Sequence, residues 1–354
     1  PETITGDHGM MLLEYAPVGV IGALCPITNP TGTFIHNSIS MISAGNAVVF
    51  NAHPSATQTS REMIRVIHRA IVQAGGPQGL ITGIAEPTLK TAKELIDHPE
   101  VNMLVATGGK PVVKVVLSSG KKAIGAGSGN PPVLVDETAH IRGAAECILN
   151  GASINNNVYC TCEKEILAVE EIADNLLKFL KETKKVYILS PAEAQQVTDL
   201  VVTEHGKINV SYIGKDVQVI LKDIGIELSQ DMRLAVMDVS RDHPLVWLEQ
   251  MMPILPLVRV KDISDGIRLG VEVEQGNRHT ALMHSTNVDN MTAFARAVQT
   301  TIFVKNGPSY AGIGLGGEGH TAFTIAGPTG EGLTSARSFT RQRRCTLVEG
   351  FRII

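Results

Sequence analysis

The chain has 354 residues, too many for one small core, so two domains are expected. Hydrophobic residues make up 44% and charged residues 19%, and the net charge of −4 excludes a global field that draws the protein to nucleic acid or to an anionic membrane. Five cysteines at irregular spacing argue against a disulfide framework and for a reducing compartment, and Gly, Asn and His interrupt every apolar run before it reaches the ~18 residues of a membrane span.

The chain opens at Pro1-Glu2 without Met, signal peptide or charged leader, as expected of a piece whose N-terminal part is missing. Residues 18–25, VGVIGALC, read as a buried strand and Ala47–Asn51, AVVFN, as a second; residues 33–43 between them carry helical apolar spacing that ends at Gly45. After His53-Pro54, Ser55 is the expected N-cap of a helix whose Met63, Ile64, Ile67, Ala70, Ile71 and Ala74 share one face, and Gly75-Gly76 stops it. Residues 79–85, 103–106 and 132–136 read as further strands, with helices over 88–97 and 111–118. Strands and helices alternating at this rhythm predict an open, mostly parallel sheet covered on both faces.

Such a sheet binds ligands at the loops beyond the carboxyl ends of its strands. Three loops qualify: Pro26-Ile27-Thr28-Asn29-Pro30, Asn51-Ala52-His53-Pro54-Ser55 and Thr107-Gly108-Gly109-Lys110. The last is a small-residue turn opening into a helix, either a phosphate cradle or an ordinary strand-to-helix turn. Residues 125–129, GAGSG, and 312–319, GIGLGGEG, lead into strand-like segments, so neither has the strand–turn–helix setting of a dinucleotide fingerprint; both read as loops that need bare backbone.

Beyond Asn150 a second α/β domain is expected. Strands are predicted over 166–169, 234–239, 255–260 and 299–306, and helices over 172–182, 192–201 and 263–274. Arg337, Arg341, Arg343 and Arg344 near the C-terminus lack the interleaved aromatics of a nucleic-acid patch. An edge strand guarded by charge, or strand pairing across a subunit interface, is the better reading of residues 337–354.

The segment Asn156-Asn157-Val158-Tyr159-Cys160-Thr161-Cys162-Glu163-Lys164 places a thiol beside amide side chains and before an acid–base pair. A cysteine is nucleophilic only as a thiolate, which needs a nearby cation, amide donors or a helix dipole. Cys160 has such surroundings, and Cys25, Cys147 and Cys345 do not. The alternative is a cysteine that only packs. The two sulfurs of Cys160 and Cys162, without a clear His or Cys partner set, do not make a metal site, and none is expected.

Taken together, PxGVIGALCPITNPTGTFIHNSISMISAGNAVVF, AGSGNPPVLVDETA, NNVYCTCEKE, EQMMPILPLVRVKD, GNRHTALMHS, FVKNGPSYAGIGLGGEG and PTGEGLTSARSFTRQRRC run in the order found in one family. The chain resembles the CoA-acylating branch of the aldehyde dehydrogenase superfamily, in particular the propionaldehyde and acetaldehyde dehydrogenases of bacterial microcompartments. The resemblance implies an α/β aldehyde dehydrogenase-like fold with the family's N-terminal part missing. It would comprise a truncated Rossmann-type cofactor domain over 1–138, a catalytic domain over 139–325, and a C-terminal return with an oligomerisation strand over 326–354. Ile154-Asn155 stands where Phe-Asp commonly precedes the two asparagines, a tolerable departure.

The resemblance also assigns roles. Cys160 falls on the family nucleophile, and Asn29, otherwise a turn residue before Pro30, on the asparagine that hydrogen-bonds the aldehyde oxygen. Glu249, otherwise an exposed strand end, falls on the glutamate that contacts the nicotinamide ribose. Pro26, Ile27, Thr28, Asn51, His53, Pro54, Ser55, Thr107, Gly108, Gly109, Ala126 and Gly127 fall in the cofactor-binding loops. Hydrolytic relatives carry a glutamate base in the stretch matching residues 126–129, which holds no acid here. Without that base water attacks an acyl-enzyme slowly, and a thiol is the better acceptor. The implied reaction is oxidation of propanal or acetaldehyde to acyl-CoA by a ping-pong cycle with NAD⁺ and coenzyme A. The implied partners are a small aldehyde, further copies of the chain in a dimer or tetramer, and microcompartment shell or cargo proteins reached through the missing N-terminus. No nucleic acid or membrane partner is implied. The implied location is cytoplasmic, inside a bacterial microcompartment. A phosphorylated-semialdehyde reductase of the glutamyl phosphate reductase type and a non-catalytic nucleotide-binding or scaffold relative are the rival readings.

Overall fold

The computed structural model describes residues 1–352; the final Ile353 and Ile354 of the expected C-terminal strand lie outside the described residues. The chain forms two compact units, residues 1–126 with 322–354 and residues 127–321.

The first unit begins with an antiparallel hairpin that the sequence reading did not anticipate, β1 (Glu2–Gly6) and β2 (Gly9–Pro17). There follow β3 (Val20–Leu24), α1 (Pro30–Ser43), β4 (Ala47–Asn51), α2 (Thr57–Gln73), β5 (Ile81–Gly83), α3 (Leu89–Asp97), β6 (Val101–Thr107), α4 (Lys110–Leu117) and β7 (Lys122–Ala126). The five strands β3 to β7 make a parallel sheet in the order β5-β4-β3-β6-β7. Side-chain alternation explains its two cores. Ile21, Ala23, Val48, Phe50, Met103 and Val105 face one side with Phe34 and Met41 of α1, and Phe34 meets Phe50 with ring centroids 4.4 Å apart. Leu24, Leu104 and Ala106 face the other side with Leu95, Ile96, Val113 and Val116 of α3 and α4.

Three local expectations are corrected. Ser55 is not the cap of α2, because His53 Nδ1 accepts the Ser55 N–H and Pro54–Ala56 forms a 3₁₀ turn, so the helix starts at Thr57. Gly125 and Ala126, read as loop, are the end of β7. Thr88, read as the first helical residue, is instead the N-cap of α3, in a reciprocal pair with Thr91.

The second unit runs β8 (Pro132–Val135), α5 (Ile141–Ser153), β9 (Glu165–Val169), α6 (Glu170–Glu182), β10 (Val186–Leu189), α7 (Pro191–Val201), α8 (Val217–Lys222), β11 (Leu234–Val239), α9 (Pro244–Trp247), β12 (Ile254–Val260), α10 (Ile263–Glu274), β13 (Thr280–His284), α11 (Val288–Val298) and β14 (Ile302–Lys305). Its seven strands are all parallel, in the order β10-β11-β12-β9-β8-β13-β14. Pro132–Val135 was placed before the expected boundary at residue 138, yet it pairs with β9 and β13 inside this sheet. The expected boundary therefore falls after a strand that belongs to the second unit.

The chain then returns to the first unit. Of the strand expected at 321–325 only the two-residue β15 (Ile325–Ala326) forms, paired with β16 (Gly332–Leu333). The last strand, β17 (Thr340–Val348), pairs antiparallel with β2 from Thr340↔Pro17 to Val348↔Gly9. It is an edge strand, exposed nearly throughout, and it carries Arg341, Arg343 and Arg344.

Candidate active site

In the first unit β3 leads toward β4 on one side and β6 on the other, so the sheet reverses its winding between β3 and β6. Pro26, Ile27, Thr28 and Asn29 follow β3, and Thr107 ends β6 ahead of Gly108 and Gly109, so these loops flank the switch point where such sheets take ligands. Asn29 is the N-cap of α1: its Oδ1 accepts the Gly32 N–H at 3.1 Å. With the oxygen so engaged, its buried Nδ2 has no acceptor. A buried amide donor without a partner is uncommon in a fold and is suited to a substrate oxygen. Gly109 caps α4 without any side-chain acceptor for the first-turn amides, which leaves those N–H groups for an anion.

Asn51 ends β4, and its Oδ1 accepts the Thr91 hydroxyl at 3.2 Å, tying β4 to α3. His53, Pro54 and Ser55 lie exposed on the same carboxyl edge of the sheet. Thr107 Oγ1 lies 3.0 Å from Thr324 Oγ1. Ala126 is buried at the end of β7, and its carbonyl accepts the Gly108 N–H at 3.0 Å.

Gly127, Cys160 and Glu249 belong to the second unit. Cys160 is partly exposed, on the loop between α5 and β9. Burial of its sulfur, and then the Glu249 charge, push the thiol up to about 12, against the lowering effect of Lys164. The resting group is therefore a thiol. Cys162 is fully buried, its sulfhydryl directed at the Ile154 carbonyl at 3.8 Å, as a cysteine that packs.

The loop under Cys160 is built around the asparagines and the Glu163-Lys164 pair that mark it in the sequence, and the structure shows how they hold it. Asn155, Asn156 and Asn157 are all left-handed, with φ of 47°, 52° and 62°. Asn is among the few residues that adopt this region cheaply, so the asparagine run is the local signal for the turn. Asn156 Nδ2 donates to the Gly214 carbonyl at 3.0 Å and to Asp216 Oδ1 at 2.7 Å. Asn157 Nδ2 donates to the carbonyls of Ala152 at 2.7 Å and Glu163 at 2.8 Å. Lys164 is completely buried, and its Nζ lies 2.6 Å from the Asn157 carbonyl, 2.6 Å from Asn157 Oδ1 and 3.2 Å from the Tyr159 carbonyl.

Around this knot lie further buried ionisable groups. Glu163 Oε1 accepts the Ser309 N–H at 3.0 Å, Oε2 has no partner, and burial holds the carboxyl up to about 7. Glu165 is also raised by burial, and neither of its oxygens is paired. His279 bonds Thr280 Oγ1 through Nδ1 at 2.8 Å and is pulled down to about 4 by burial, reinforced by the Lys164 charge. Gly129 sits so close that a Cβ there would lie 2.8 Å from the Cys160 carbonyl oxygen and 3.0 Å from His279 Cγ. Burial of this kind has no local signature, although the fully buried run of β9 immediately after Lys164 hints at it. Among the described residues no group of three or more His, Cys, Asp or Glu side chains is placed to hold a metal ion, and no helix is long and apolar enough to cross a membrane.

The sequence profile of the aldehyde dehydrogenase family matches residues 2–331. The acetylating acetaldehyde dehydrogenase of Escherichia coli (strain K12) is 46% identical over 360 residues, covering 100% of this chain and 77% of the relative. A propionaldehyde dehydrogenase of Rhodopseudomonas palustris, solved with bound CoA and an acylated cysteine, is 52% identical and superposes with a TM-score of 0.97 over 100% of this chain and 80% of its own. A propionaldehyde dehydrogenase from the fucose utilisation microcompartment of Clostridium phytofermentans is 46% identical, with a TM-score of 0.97 over 100% of this chain and 81% of its own.

Proposed function

This chain belongs to the aldehyde dehydrogenase family, and from that premise we propose that it oxidises a short-chain aldehyde, propanal or acetaldehyde, to the acyl-CoA with NAD⁺ and coenzyme A. The observation that carries the reading is the 52% identity, over the whole chain, to a structure holding CoA and an acylated cysteine.

In this reading Cys160 is the nucleophile. Its thiol loses a proton and the sulfur adds to the aldehyde carbon, giving a thiohemiacetal. The oxyanion is held by the Asn29 amide and the Cys160 N–H, a device in which one donor is typically worth ~3 kcal/mol. The unspent Asn29 Nδ2 supports that role. Pro26 to Thr28, Asn51 to Ser55, Thr107 to Gly109, Ala126 and Gly127 would hold the dinucleotide and Glu249 its ribose, and a bound nicotinamide would supply the hydride acceptor for the thiohemiacetal carbon. The uncapped α4 terminus fits such a phosphorylated ligand. The thioester left on Cys160 has no carboxylate at residues 126–129 to activate water, so the CoA thiol takes the acyl group and Cys160 regains its proton.

Two further parts of the proposal concern assembly. The exposed edge strand β17 pairs in a homo-oligomer, dimer or tetramer, and the enzyme works in the cytoplasm inside a microcompartment with shell or cargo proteins, as the origin of the Clostridium relative suggests. The test of the activity is NADH formation from propanal or acetaldehyde with and without coenzyme A. CoA-dependent formation of acyl-CoA is expected. Turnover to free carboxylate at the same rate without CoA would overturn the acylating assignment.

A further inference from the structure

A completely buried lysine directly below the proposed nucleophile takes no part in the cycle above. Its Nζ is surrounded by three oxygens, the carbonyls of Asn157 and Tyr159 and the Asn157 side-chain Oδ1. None of these can donate, so the three contacts together require three N–H groups, which an ammonium has and a neutral amine, with two, does not. The backbone of Lys164 is itself anchored, its N–H on the Pro131 carbonyl at 2.9 Å and its carbonyl accepting from Gln250 Nε2. The side chain therefore ties a fixed strand entry to a loop that cannot hold its own shape.

That loop contains three successive left-handed residues, and sparsely populated backbone conformations persist only where the surroundings over-determine them. Asn156 and Asn157 supply part of the restraint by donating, and the Lys164 ammonium supplies acceptor-side restraint on either side of Val158. The Tyr159 carbonyl it holds belongs to the peptide whose N–H is that of Cys160, the group proposed to face the oxyanion. Holding that oxygen fixes the direction of the N–H.

We propose that Lys164 is a positioning residue for Cys160: its buried ammonium locks the Asn155–Asn156–Asn157 turn, orients the Cys160 N–H, and places a fixed positive charge beneath the sulfur. The inference rests on the reading of Cys160 as the nucleophile.

The charged and titratable groups that face this centre are few. Glu249 and Lys164 act on the Cys160 thiol in opposite directions, and the Cys162 thiol is coupled to it. Glu163, Glu165 and His279 surround Lys164, with Glu274 acting on Glu165. Burial holds the two glutamates toward their neutral forms and the imidazole neutral, so the ammonium is left as the positive member of the group.

The experiment compares the wild-type chain with Lys164→Met, Lys164→Arg and Asn157→Gly. Alkylation of Cys160 by iodoacetamide is followed against pH by peptide mass spectrometry, with the exposed Cys345 as internal reference, alongside kcat and KM for CoA-dependent NADH formation. In Lys164→Met the Cys160 alkylation rate at pH 8 should fall about tenfold or more relative to Cys345, as loss of an adjacent opposite charge raises a thiol pKa by one or more units. The value of kcat should fall with it while KM for NAD⁺ changes by less than about twofold. Lys164→Arg, which keeps the charge, should recover part of the alkylation rate. If Lys164→Met does not fold, Asn157→Gly carries the test, because glycine accepts the left-handed conformation while the ammonium loses one of its three acceptors and the turn loses the two Nδ2 bonds to the Ala152 and Glu163 carbonyls. Its kcat should then fall by about threefold or more.

A folded Lys164→Met with wild-type alkylation and turnover overturns the proposal, as does an unchanged kcat in Asn157→Gly. Failure of the underlying reading looks different: wild-type protein alkylated at Cys160 would still make acyl-CoA.

Discussion

Gly129→Ala tests whether the surroundings of Cys160 are as tightly packed as the structure shows. The added methyl would lie 2.8 Å from the Cys160 carbonyl oxygen, 3.0 Å from His279 Cγ and 3.2 Å from His279 Cβ. A comfortable carbon–oxygen contact is about 3.3 Å, so one neighbour must retreat by about 0.5 Å. His279 cannot easily do so. Its N–H is bonded to Glu274 Oε1 at 2.9 Å, its ring to Thr280 at 2.8 Å, and it leads directly into β13. The Cys160 loop is the softer side, so the proposed nucleophile moves. A misplacement of about 1 Å costs up to 10²-fold in rate, so roughly half that distance should cost about tenfold in kcat. Overpacking of this kind also costs about 1–3 kcal/mol of stability. The assay is CoA-dependent NADH formation on the variant together with its thermal unfolding. A variant that unfolds at the wild-type Tm and turns over within about twofold of wild type would refute the reasoning, since the site would then yield without moving the sulfur.

Cys160→Ser should abolish acyl-CoA formation while Cys162→Ser keeps most of it, measured by the same assay; iodoacetamide mapping of the wild type must be resolved by peptide, because the exposed Cys345 competes for the reagent. Glu163→Gln should stabilise the protein at alkaline pH. The folded-state pKa of Glu163 is raised to about 7 from an ordinary 4.5, so wild type gives up stability as pH rises from 4.5 through 7, by about 3 kcal/mol at most, and the neutral variant does not. Denaturant unfolding of both at pH 5 and pH 8 reads the difference, and an equal gap at both values would refute it. Ala126→Glu should introduce only slight CoA-independent hydrolysis, detected as free acid, because a carboxylate at this buried strand end is held toward its neutral form and makes a weak base. NAD⁺ and coenzyme A should compete for one cleft, as a ping-pong cycle permits, and substitution at Asn51 or Gly108 should weaken both; a ternary complex seen by calorimetry would refute sharing.

Much of the first sheet was legible because its signals are local. Ala47–Asn51 is a short apolar run between breakers, and Gly75-Gly76 ends α2, Gly75 by taking a left-handed φ of 85°. The asparagines of the Cys160 loop advertise its turn. What lies far along the chain was not legible. Pro132–Val135 joins the second sheet because β9 and β13 offer matching edges, a choice that no property of those four residues records. β2 is also held on its other side by β17, whose residues lie over 300 positions away, and no property of residues 9–17 records that partner. Lys164 reads in sequence as half of an ordinary Glu-Lys pair, and only the folding of the Asn157–Tyr159 loop over its Nζ turns a surface residue type into a buried ammonium with three oxygen partners. Periodicity, caps and breakers act over a few residues and survive in the sequence. Burial and strand partnership are properties of distant segments meeting, and they exist only once the chain has folded.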